Sequence, residues 1–129
     1  MSGNVVLLAI LAVVGCTPSR SLPPIPEVDE IRVRGLTEEE IARVKDRAVI
    51  LQVVSVANDF ADGWRVPWYG PPVAKTNLTF YSAGQPLADL GLGRNFITRT
   101  HDNFYSREVP ERVIQDLREK LHLENPYAE

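Results

Sequence analysis

Chemistry in this chain can come from a few places. Cys16 is the sole cysteine among 129 residues, so it forms no internal disulfide and cannot be half of a CxxC or a zinc knuckle. His101 and Asp102 are adjacent, and Ser106 follows a few residues later. Those types suit nucleophilic or acid–base work, or one arm of a metal site. Residues so near in sequence rarely reach triad geometry, however, and no GxSxG elbow presents the serine. Gly91 and Gly93 precede Arg94. Small residues let a backbone come close, and an arginine beside them can fork onto a carboxylate or phosphate; the plain alternative is a solvated turn arginine. The other histidine, His122, sits at the end of a helical pattern, where it suits the helix dipole.

The segment 62–72, Asp-Gly-Trp-Arg-Val-Pro-Trp-Tyr-Gly-Pro-Pro, is the richest in recognition chemistry. It holds both tryptophans and three of the ten prolines. It is too rich in Pro and Gly for a helix or a central strand. Trp64, Trp68 and Tyr69, with Arg65 between them, sit on stiff backbone, and such rings make effective binding anchors. Two readings stand side by side: Trp64 plugs the core and the others lie against the sheet, or the rings face a partner.

The elements that must position these residues follow from periodicity. Residues 30–34 alternate as a half-buried strand. Thr37 and Glu40 are spaced as a capping box, which predicts a short helix over 38–45 with Ile41 and Val44 inward. Residues 49–56 are rich in β-branched types and would suit a buried strand, but Ile50, Val53, Val54, Ala57 and Phe60 fall at helical spacing with Asp46 as N-cap, and the helix is the preferred reading of 47–60. The strand 76–82 is followed by a turn at 83–85, a return strand at 87–93, and two further strands at 95–100 and 104–106. A last helix opens at Pro110 with Val113, Ile114, Leu117 and Leu121 on one stripe. The fold expected is α+β: a small antiparallel β-meander of three or four strands, with an amphipathic helix before it and a C-terminal helix after it. Length suits one domain, and a net charge of -3 gives no electrostatic case for nucleic acid.

The N-terminus differs in kind. No charged side chain occurs before Arg20. Residues 5–14 are an unbroken apolar run, too short for a bilayer span of about 20 residues and right for a signal-peptide core of roughly 7–15. The run ends in Val13-Val14-Gly15-Cys16, which resembles the lipobox of bacterial lipoproteins. That resemblance implies cleavage before Cys16, a diacylglyceryl thioether on its sulfur, and acylation of the new amino terminus. Several acyl chains anchor a domain stably where one is marginal. Thr17 follows, where retention at an inner membrane typically uses Asp, and so favours the outer membrane. Four prolines among residues 17–26 predict an extended tether, about 3.1 Å per residue, that holds the domain off the membrane.

The organisation expected is therefore a signal peptide over 1–15, a Pro-rich tether over 16–27, one domain over 28–124 and a frayed tail over 125–129. The domain from Phe80-Tyr81 through the glycine hairpin to Asn95-Phe96-Ile97 is similar to small uncharacterised bacterial envelope proteins, which implies no activity. The function expected is a non-catalytic binding or assembly module at the periplasmic face of the outer membrane, without cofactor or metal. Cys16 holds the bilayer, and Trp64, Arg65, Trp68, Tyr69 and Arg94 meet an envelope protein or glycan. The alternative is a small hydrolase or metal-dependent enzyme centred on His101 and Asp102.

Overall fold

The computed structural model describes residues 19–70 and 72–127. The expected signal peptide, Cys16 and Thr17 lie outside the described residues. The chain is α+β, with one antiparallel sheet of six strands in the order β2-β1-β3-β4-β5-β6. Two more strands than the largest meander expected are thus present. Strand β1 (Glu30–Arg34) buries Ile31 and Val33 and turns Glu30, Arg32 and Arg34 the other way, as its alternation requires. On that outer face Arg32 donates to Glu30 at 2.5 Å and lies 4.0 Å over the Tyr81 ring.

Residues 38–45, expected as a helix, form instead strand β2 (Glu40–Val44), with Ile31 opposite Val44 and Val33 opposite Ala42. The cause is the turn before it. Glu38 takes φ 65, which a right-handed helix excludes. The Gly35 N–H donates to the Glu39 carbonyl at 3.0 Å. Thr37 spends its hydroxyl on the Glu39 carboxylate and not on a helix N-terminus. Ile41 consequently points outward and is 52% exposed, while Ala42 and Val44 lean on the core.

Helix α1 (Arg47–Asn58) starts where expected: the Asp46 carboxylate accepts from the N–H of Ala48 and Val49, satisfying donors that lack intrahelical partners. It buries Ile50, Val53 and Ala57. It stands ahead of the meander but behind β1 and β2, and the chain passes from β2 through α1 to β3 (Thr76–Ser82), which lies beside β1. Then β4 (Gln85–Leu92), β5 (Phe96–Thr100) and β6 (Phe104–Glu108) follow as a meander. Gly91 and Gly93 do mark a close approach, but from within the fold. A Cβ on Gly91 would clash with the Thr98 hydroxyl, and one on Gly93 with the Phe96 ring. Helix α2 (Glu111–Lys120) buries Ile114, Leu117 and Arg118. Both helices join Ile31, Val33, Leu78, Phe80, Leu90, Leu92 and Ile97 in one apolar cluster.

Two end segments depart from the sequence reading. The tether does not stand clear of the domain. Leu22 and Ile25 are buried in the core. The Leu22 N–H donates to the Ala61 carbonyl at 2.9 Å. Asn58 closes on both polar groups of Ile25, accepting its N–H at 2.8 Å and donating to its carbonyl at 3.1 Å. Proline stiffens such a chain but leaves the intervening Leu and Ile free to pack. At the other end, Tyr127 folds back: its hydroxyl accepts the Lys75 N–H at 3.2 Å, and the Lys75 ammonium lies 4.9 Å from its ring. Leu22→Ala is expected to destabilise the domain by about 2–5 kcal/mol, the cost of a buried leucine. Urea denaturation measures this, and a free spacer would show no change.

Candidate functional site

The segment 62–70 is built on two backbone clamps in succession. Trp64 pairs with Arg20 in both directions, at 2.8 and 3.1 Å. The next residue, Arg65, pairs with Ser106 of β6 in both directions, at 3.0 and 2.8 Å. The Trp64 indole is fully buried, and its N–H donates to the Phe60 carbonyl at 2.6 Å. A buried indole needs such an acceptor. Trp64 is therefore core and leaves the set of contact residues expected from the sequence. Its ring is too large to stay wet beside Leu22, Ile97 and Tyr105 of the same cluster.

Beyond Arg65 the chain leaves the core. Trp68 is 89% exposed and Tyr69 66%. Their rings meet edge to face, 5.7 Å between centroids at 87°, a favourable aromatic geometry. The Gly70 N–H returns to the Pro67 carbonyl at 3.3 Å, closing the tip as a turn. Val66 and Val73 add exposed apolar surface on either side. Arg65, Pro67, Trp68 and Tyr69, with Ser106 and Arg107, line an open groove of about 480 Å³. Arg107 is fixed in it. Its Nε donates to the Asp62 carbonyl at 2.5 Å, and its guanidinium lies 4.6 Å over the Phe60 ring. Gly63, at φ +83, passes close beneath that side chain, a conformation that suits glycine.

Arg65, Trp68 and Tyr69 thus line one groove, and Arg94 does not join them. Arg94 pairs with Glu111 at 3.5 Å, both largely exposed, and is not among the groove's lining residues. His101 and Asp102 lie in the turn between β5 and β6, while Ser106 stands opposite Thr98, further along the ladder. Asp102 is engaged otherwise. The Tyr105 hydroxyl donates to it at 2.5 Å, and Arg20 approaches it at 3.6 Å. The hydrogen bond from Tyr105 holds the Asp102 carboxyl below its ordinary 3.8, and the same bond raises the Tyr105 hydroxyl above its ordinary 10.0. Among the described residues no three His, Cys, Asp or Glu side chains gather as a metal site, and no helix is long and apolar enough to cross a membrane.

Two buried arginines escaped sequence reasoning. Arg99 occupies the inner face of β5, donates to the Pro23 carbonyl at 2.8 Å and lies 5.9 Å from the Trp64 ring. Arg118 on α2 donates to Thr76 Oγ1 at 2.9 Å and to the Glu124 carbonyl at 3.3 Å. Burial lowers the pKa of both guanidinium groups. Their signal was present, because Arg99 alternates with Ile97 and Arg118 falls on the stripe of Ile114 and Leu121. Arg118 also lines a second cavity, of about 440 Å³, together with Leu36, Ile41, Lys75 and His122. Comparison with protein-family models, with curated proteins and with solved structures finds no match.

The two tryptophans should separate cleanly in denaturation experiments. Trp64→Ala is expected to cost about 3–5 kcal/mol, whereas Trp68→Ala should stay within about 0.5 kcal/mol of wild type. The Tyr105–Asp102 bond makes a second expectation. A carboxylate with depressed pKa contributes stability that is present above 3.8 and lost as pH falls below it. A phenol with raised pKa contributes stability that is present below 10.0 and lost as pH rises above it. Melting temperatures of Tyr105→Phe against pH should therefore fall less steeply than wild type at both extremes.

Proposed function

We propose that this chain is a lipid-anchored protein of the bacterial envelope, held at Cys16, whose Trp68–Tyr69 loop is a non-catalytic contact surface for an envelope component. The observation that carries the contact surface is the contrast within five residues. Trp64 is fully buried, and Trp68 and Tyr69 are exposed on a loop whose root is clamped by Arg20 and Ser106. Large rings held outward on a fixed root lose little entropy on association. Exposed aromatic and aliphatic side chains grouped in this way mark interaction sites. Arg65 and Arg107 add a cationic side to the groove.

The lipid anchor rests on the residues Val13-Val14-Gly15-Cys16 and on the apolar run before them. The outer membrane is the address favoured by Thr17. No cofactor or metal enters this reading. The groove's lining offers two guanidinium groups, aromatic rings and the Glu108 carboxylate, a set suited to holding a surface.

Intact mass of the detergent-extracted protein tests the anchor. The wild-type chain should lack residues 1–15 and carry acyl chains, and Cys16→Ala should abolish both changes. A full-length unmodified mass would overturn the lipoprotein reading.

A further inference from the structure

We propose that the envelope component met by the Trp68–Tyr69 loop is the lipid bilayer itself, with both rings seated in its interfacial layer beside the acylated Cys16. The proposal rests on the lipid-anchored reading above and names the partner of the same loop. Its basis is the direction of the Arg20–Trp64 pairing. That bridge is antiparallel. Going backward from Arg20 to Ser19 therefore runs the same way as going forward from Trp64 to Arg65. Ser19 and Arg65 thus leave the clamp in the same direction.

The lengths match as well as the directions. Four peptide steps separate Arg20 from Cys16, and four separate Trp64 from Trp68. Whatever its conformation, each step can span at most about 3.6 Å, so either segment reaches at most about 14 Å. A thioether-linked glycerol at Cys16 lies at headgroup level. A domain whose first clamp is so near that point cannot stand about 30 Å away on a polyproline spacer. Residues 20–25, which would have supplied most of that spacer, are bound along the domain through Leu22, Ile25 and Asn58. The surface facing the membrane is then the clamp and what projects from it.

What projects there suits the interface in kind. Trp and Tyr concentrate at headgroup depth, where an apolar ring body and a polar tip are both accommodated. Trp68 is 89% exposed, with Tyr69, Val66 and Val73 exposed around it. Arg65, next to Trp64 at the root of the loop, supplies a cation for lipid phosphate. Acyl chains and aromatic side chains then act as two linked contacts, so the second is made at high effective concentration.

The two tryptophans allow a direct test, because one is buried in the fold and the other is exposed. The full lipidated protein is placed in vesicles of phosphatidylethanolamine and phosphatidylglycerol carrying bromine on part of their acyl chains. Trp68→Phe is carried in parallel, leaving only Trp64. Quenching should remove about half of the wild-type emission and little of the variant's, as expected for an indole at interfacial depth. Access of aqueous acrylamide to Trp68 should fall severalfold relative to detergent solution. Intact mass is read on the same samples. Acylated protein whose Trp68 stays open to acrylamide and untouched by bromolipid would overturn the bilayer contact and leave the anchor standing. Shielding of Trp68 that needs added envelope protein, and is absent on pure lipid vesicles, would overturn it also. A mass without acyl chains would remove the anchored reading and this proposal together.

Discussion

The fold depends on the burial of the Trp64 indole and the two backbone pairings that flank it. An indole of this size can be dried only if surfaces arrive from several directions. Here the same buried cluster takes Leu22 and Ile25 from the N-terminal segment, Tyr105 and Ile97 from the sheet and Ala57 from α1, and the Arg99 guanidinium lies 5.9 Å from the ring. The polar edge of the ring is satisfied by Phe60, which fixes where the helix end must lie. Its own backbone is occupied by Arg20 and the next residue's by Ser106. One side chain thereby couples the N-terminus, the end of α1 and the last strand. Because those constraints act on consecutive residues, the chain after them has only one way out of the core, and Trp68 and Tyr69 are presented there.

Buried charge serves the same architecture. Arg99 and Arg118 are each nearly inaccessible, and neither has a carboxylate within ion-pair distance among the described contacts. Burying a cation in this way is costly unless its donors are used. Arg99 spends one on Pro23 and faces Trp64, so it fastens the N-terminal segment to the sheet. Arg118 donates from its terminal nitrogens to Thr76 and to the Glu124 and Leu92 carbonyls and faces Tyr127, so it fastens the C-terminal turn to the start of β3. The two ends of the chain are held by the same device: a guanidinium in the core reaching a backbone carbonyl of a segment with little secondary structure.

Local rules were legible where local physics decided the outcome. Asp46 capped α1, alternation set β1 and β3, and Pro110 opened α2, because each depends on neighbours a few residues away. Glu38 to Val44 misled for the same reason. Its capping residues are real, but β1 offered an unpaired ladder edge, and backbone pairing across the turn outweighed helix propensity. The prolines of residues 18–26 suggested a spacer by composition, while the apolar positions between them found a core that only the folded sheet provides. In the loop, sequence could say that Trp64, Trp68 and Tyr69 sat on stiff backbone. It could not say which ring went inward, since that is settled by Arg20 and Ser106, which are 44 and 41 positions away from the residues they pair with.

The docked N-terminal segment also sets an order of assembly. Every partner that residues 20–25 use comes much later in the chain than they do: Asn58, Ala61, Trp64, Arg99 and, last, Asp102 and Tyr105. Until β5 and β6 are in place, this stretch has nothing complete to pack against. It has no structural role of its own before that point and gains one only when the sheet closes on it. Whatever must act on the N-terminal end thus has a defined interval in which to do so, and closure of the core ends that interval.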